Sequence, residues 1–110
     1  MKTLASLFAP NPDRWGLRGD PHLWWAMLSM FADVEMPTDR AALEAIVRRA
    51  FMEITGHSFD ETENFFVEHL AHGGMSSGYV SPEFWKEKGL PLLLERFDRE
   101  RDGEAGDSAL

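Results

Sequence analysis

The residue types and spacings that could carry chemistry gather in one stretch of this 110-residue chain, His72-Gly73-Gly74-Met75-Ser76-Ser77-Gly78-Tyr79-Val80. Within it, Gly74 to Gly78 has the G-x-S-x-G spacing of serine hydrolases. That chemistry needs a strand, a sharp turn and a helix, so that the serine stands exposed above a parallel sheet. The pattern before Ser76 is helical instead, and the chain is too short for such a sheet. His72-Gly73-Gly74 matches part of an oxyanion loop, but it runs directly into the same serine pair, which is the wrong order in space. No catalytic residue is assigned on these grounds.

Glu68, His69 and His72 share a helical face, a spacing a metal could use. Further ligands would have to arrive by folding, from His22 or His57, and the chain has no cysteine. Neither a metal nor a cofactor is therefore expected. The simpler role for His72 is at a helix C-terminus, where a partly positive imidazole suits the dipole. Gly73, Gly74 and Gly78 bracket Ser76 and Ser77, and backbone N–H groups of such a loop can form an anion nest near a helix N-terminus. Arg14 or Arg18 would complete it. The same residues also serve plain turn chemistry, with glycine at positive φ and serine bonding to backbone. The loop is longer than a helix–helix turn needs, and such loops often carry function on a rigid scaffold. The candidate binding surface is thus His72, Gly73, Gly74, Met75, Ser76, Ser77, Gly78 and Tyr79, with Arg18 and Glu68 beside it.

The elements that must position this loop read as helices. Asp20 is a good N-cap and Pro21 suits the first helical position. Arg18-Gly19-Asp20 spells an adhesive tripeptide, but capping is the simpler job for Asp20. The run Pro21–Ala32 is apolar nearly all round, which places it centrally in the fold or against a partner. Thr38 caps a second helix to about Thr55, with Glu44 and Arg48 as an i,i+4 pair and Gly56 as the stop. A third helix starts at Ser58 or Asp60, where two capping boxes overlap, and ends at His72. Its inward stripe is Phe59, Phe66 and Leu70. A short extended piece at Gly78–Val80 is compatible with the pattern, though alternating strand patterns are otherwise absent. Ser81 and Pro82 open a fourth helix that kinks or breaks at Gly89-Leu90-Pro91 and resumes to about Arg99. The expected fold is all-α: a small irregular bundle of four to five helices with the Gly/Ser-rich loop between the third and fourth. Residues 1–99 form one domain, opened by an irregular arm punctuated by Pro10, Pro12, Gly16 and Gly19, and residues 100–110 form a flexible acidic tail.

Composition narrows the function class. The formal net charge is −8, which disfavours direct contact with DNA or RNA, because phosphate must be neutralised by cations. An acidic surface suits a basic protein partner. No run approaches the ~18–20 apolar residues of a membrane span, and Leu4–Ala9 is too short and broken for a signal peptide. Cysteine-free composition fits a reducing cytoplasm. Trp15, Trp24, Trp25, Phe84 and Trp85 form a large aromatic set. Trp24 and Trp25 point about 100° apart on a helix, so either one left uncovered would be an anchor for a partner.

The segments Trp15-Gly-Leu-Arg-Gly-Asp-Pro-His-Leu-Trp24 and His69-Leu-Ala-His-Gly-Gly-Met-Ser-Ser-Gly-Tyr-Val-Ser-Pro-Glu-Phe-Trp85 together resemble a group of small bacterial proteins without an assigned activity. The resemblance spans most of residues 10–97 and carries over no catalytic residue. Size and acidity also liken the chain to the immunity proteins that neutralise toxins. The expected function is a non-enzymatic bacterial interaction module of the cytoplasm, of immunity or antagonist type. The alternatives are a small-ligand, anion-binding or enzymatic role at the His72–Val80 loop, and a homo-oligomer formed through Pro21–Ala32.

Overall fold

In the computed structural model of this chain, the described residues are 3–8, 19–70 and 77–109, without the side chains of 102–109. A 3-10 turn, Leu4–Phe8, opens the chain. Helix α1 spans Gly19–Met30 and runs into a 3-10 turn at Phe31–Asp33. Helix α2 spans Arg40–Thr55. Strands β1 (Phe65–Val67) and β2 (Gly78–Val80) pair antiparallel, with Phe65 opposite Val80, Phe66 opposite Tyr79 and Val67 opposite Gly78. Three helical pieces then follow without a break: Pro82–Phe84, a π turn at Trp85–Gly89, and Leu90–Ala109. We label this composite α3.

The all-α bundle of four to five helices is therefore incorrect. The described residues hold three helices and a two-stranded antiparallel sheet. The overturned element is the third helix expected from Ser58 to His72. Its capping residues close a turn instead: Ser58 Oγ accepts from the Asp60 N–H at 3.1 Å, and the Ser58 carbonyl accepts from the Glu61 N–H at 3.3 Å. Short polar side chains that bond locally favour such turns over helix. Beyond the turn, Phe65 and Val67 are buried and Phe66 is exposed. This in–out alternation of aromatic and β-branched residues suits a strand. A helix would have turned Phe66 inward in place of Phe65. The extended piece at Gly78–Val80 is β2, the partner that satisfies the backbone of β1.

Two helix starts also differ from expectation. Asp39, not Thr38, caps α2, its carboxylate accepting from the Ala42 N–H at 2.8 Å. Asp20 lies inside the first turn of α1 and turns its carboxyl into the core. Other signals hold: Gly56 ends α2 at φ +78°, Arg48 meets Glu44 at 3.5 Å, and Ser81 caps α3 by accepting from the Phe84 N–H at 3.1 Å. Leu90–Ala109 is helical well past Arg99. Among the described residues, no helix is long and apolar enough to cross a membrane.

The core is aromatic. α1 lies centrally, burying Leu23, Trp24, Ala26 and Met27 completely. Trp24 stacks obliquely on Phe8 at 4.7 Å and donates its indole N–H to the Phe8 carbonyl at 2.7 Å. That bond seats the N-terminal turn, and Arg96 of α3 holds the same end through the Leu7 carbonyl at 2.9 Å. Trp85 packs between Trp24 (6.1 Å) and Phe51 of α2 (6.5 Å). An α-helix through this region would meet Pro91, which lacks a donor and clashes with the carbonyl four residues back. The π turn just before it absorbs the conflict without breaking the helix.

The π turn also brings Gly89 against the Trp85 ring, where an added Cβ would lie 2.6 Å from the nearest ring carbon. Overpacking a core costs about 1–3 kcal/mol, more than the ~1 kcal/mol of helix propensity that alanine returns. Gly89→Ala is therefore expected to lower the urea midpoint with an unchanged slope. A raised midpoint would show that the close approach is not there.

Candidate functional site

The hairpin supplies the most distinctive surface among the described residues. Its inner residues Phe65, Val67 and Val80 are buried, with Phe65 edge-on to Phe51 at 6.0 Å and β2 against α1. Alternation then sends Phe66 and Tyr79 outward as a directly opposed pair. Their rings meet edge-to-face at 5.3 Å. Even so, Phe66 is 51% and Tyr79 55% exposed. Trp25 is likewise 53% exposed on the outer side of α1, so of the adjacent tryptophans only Trp24 enters the core.

The sequence on both sides of this pair is acidic. From Ala50 to Trp85 the chain holds Glu53, Asp60, Glu61, Glu63, Glu68 and Glu83, and no lysine or arginine. Glu63 and Glu68 are exposed on either side of β1. Between the end of α2 and β1 lies an open cleft of about 510 Å³, lined by His57, Asp60, Glu61, Glu63 and Phe65 among others. His57 stacks flat on Phe65, with centroids 3.8 Å apart and a 12° tilt. Its Nδ1 lies 3.1 Å from a Glu61 carboxylate oxygen. Asp60 is held by Arg48 at 2.8 Å and approached by Lys86 at 3.9 Å. The Arg48 hydrogen bond is the main reason its carboxyl lies below the usual carboxylate range.

The residues singled out from the sequence fare unequally. His72, Gly73, Gly74, Met75, Ser76 and Arg18 lie outside the described residues. Ser77 is half-buried just before β2, Gly78 is buried opposite Val67, and Tyr79 and Glu68 are exposed. Register brings Glu68 and Ser77 to the same end of the hairpin, past the Val67–Gly78 pair. Among the described residues, no group of three or more His, Asp or Glu side chains could hold a metal. Phe66, expected on the inward stripe of a helix, belongs to the surface. The sequence holds no signal for its exposure, since Phe65-Phe66-Val67 is an unbroken apolar run and strand register alone turns Phe66 outward.

Asp20 is the one buried carboxyl of the described residues. It is wholly inaccessible and joins two distant parts of the chain. Its Oδ1 accepts from the Trp85 indole N–H at 2.8 Å and, more weakly, from the Ser81 backbone N–H at 3.4 Å. Its Oδ2 has no hydrogen-bond partner among the described residues. Burial disfavours the charged form and raises the carboxyl from 3.8 to about 7, and the two hydrogen bonds oppose that rise only in part. No local signal announces this role, because its partners lie 61 and 65 residues away.

Cross-strand aromatic pairs contribute about 0.2–1 kcal/mol, and the outer faces of Phe66 and Tyr79 are in water. The double variant Phe66→Ala with Tyr79→Ala is expected to fold and to lose no more than about 1 kcal/mol of unfolding free energy in urea titration. A loss of several kcal/mol would show that the pair belongs to the core. Comparison of the chain with known protein families, curated proteins and solved structures finds no match.

Proposed function

We propose that this protein is a non-enzymatic interaction module that binds a basic protein partner through its hairpin. The carrying observation is the Phe66–Tyr79 pair, half exposed and adjacent, in a 36-residue stretch with six acids and no lysine or arginine. Aromatic anchors surrounded by charge of one sign are the usual make-up of a recognition surface: the rings supply affinity on desolvation, and the acids supply steering and choice of partner. Arginine is the natural complement, because its guanidinium stacks on aromatic faces and pairs with carboxylates. An immunity-type antagonist, which covers the cationic working surface of another protein, is one form of such a module. A cytoplasmic setting goes with this reading, since a chain without cysteine suits a reducing compartment.

The test is capture from host extract on the immobilised chain, with the double variant Phe66→Ala, Tyr79→Ala as the matched control. The reading expects a stoichiometric partner of basic composition, eluted by moderate salt and lost in the variant. Truncation of interface anchors commonly costs 2 kcal/mol or more, about 30-fold in Kd. A partner retained equally by the variant, or binding indifferent to salt, would overturn it.

A further inference from the structure

We propose that the Asp20 carboxyl is a proton-operated latch that seats strand β2 and the start of α3 on α1. The geometry is specific. One carboxylate oxygen gathers the Trp85 indole and the Ser81 backbone N–H, so α1 holds both the residue that follows β2 and the first π-turn residue. The other oxygen is buried without a partner among the described residues. Protonation on Oδ2 removes the charge while Oδ1 still accepts, and the Oδ2 hydroxyl left without an acceptor among the described residues costs less than a buried anion would. Loss of the proton leaves a buried anion with one short and one long hydrogen bond, which is a costly state.

Among the described residues, no ion pair offsets that cost. The causes acting on this carboxyl are burial and the two hydrogen bonds, with no charged side chain among them. On α1 the neighbouring titratable group, His22, is exposed. On β2 the only such group is Tyr79, which points outward. At the start of α3, Glu83 is exposed and Lys86 reaches toward Asp60. The N-terminal turn Leu4–Phe8 carries no titratable side chain. The α1 dipole favours an anion in its first turn, yet the carboxyl still rises to about 7.

The direction follows from linkage. The folded state holds this proton more tightly than the unfolded chain does, so the stability it confers is complete below about pH 4 and is lost as pH rises through about 7. The loosening is local to the latch. Amides 78–85 become less protected above neutrality, and amides of α2 follow only where they exchange through global unfolding. Because Tyr79 sits on β2, the proton also sets the order of the hairpin surface. The device needs no partner, so its test stands apart from the interaction reading above.

The experiment uses the full chain at pH 5 to 9. Amide-exchange protection factors report on residues 78–85 and on α2, and urea midpoints are followed by tryptophan fluorescence. In the wild type, protection of 78–85 relative to α2 is expected to fall about tenfold or more between pH 6 and 8, one decade per pH unit being the slope of a single proton. Asp20→Asn keeps an acceptor for Trp85 without a charge. It is expected to remove the fall and to raise the urea midpoint at pH 8 above the wild type. Equal pH dependence in both proteins overturns the latch, as does pH-independent protection at 78–85. Should the variant not fold, the Asp20 carboxyl carbon followed by NMR in the wild type decides the matter. A midpoint near neutrality supports the latch, and one near 4 overturns it.

Discussion

The fold depends on how one buried indole is satisfied. Trp85 is completely enclosed, and an enclosed indole N–H needs an acceptor. Asp20 provides it at 2.8 Å. This bond fixes where α3 begins relative to α1 and places the ring between Trp24 and Phe51, so it joins all three helices at one point. The same ring demands glycine at position 89, because only hydrogen fits against its face across the π turn. The π turn in turn lets the helix run on through Pro91. A carboxyl, an indole, a glycine and a proline thus form one connected constraint.

That constraint also explains the hairpin. Ser81 follows β2 directly, caps α3 with its hydroxyl, and gives its backbone N–H to Asp20. Strand β2 is therefore tethered at its C-terminal end by two interactions that have nothing to do with strand pairing. A two-stranded hairpin is marginal alone in water. Here it is held by this tether and by Phe65, Val67 and Val80 packing inward. Its outer face remains available, which is why two large rings can stand half exposed there without endangering the core.

Local chemistry made part of this legible in the sequence. The cap at Ser81, the stop at Gly56, the Glu44–Arg48 pair and the central burial of α1 are interactions within a few residues or strong periodic patterns, and the sequence displays them. The helix expected at 58–72 was lost because capping boxes and a 3.6-residue stripe can be drawn through Phe59, Phe66 and Leu70, whereas the buried set is Phe59, Phe65, Val67 and Leu70. Which set wins is decided by β2, more than ten residues away. Asp20 is the sharper case. Its position before a proline is a sound capping signal, and the partner that redirects it inward lies 65 residues on. Of the candidate site, Tyr79 and Glu68 were legible as exposed polar groups beside a loop. Phe66 was not, since its exposure is a property of strand register.

Charge placement separates the hairpin from the rest of the molecule. The chain has 11 lysines and arginines, and the eight among the described residues all lie on α2 or α3. Most are engaged within the fold: Arg40 and Arg101 with Asp98, Arg48 with Asp60 and Glu44, Lys86 with Asp60, and Arg99 with Glu95. Exposed pairs of this kind stabilise by at most about 1 kcal/mol each, so their main effect is on the surface field. Glu44, Glu95 and Asp98 on the helices are paired in this way and Asp60 is held from α2 and α3, whereas the stretch from Ala50 to Trp85 holds no lysine or arginine of its own. That stretch, which carries Phe66 and Tyr79, thus brings six acids to a chain of net charge −8. Acids and aromatic anchors coincide on an element whose tether includes a titratable carboxyl.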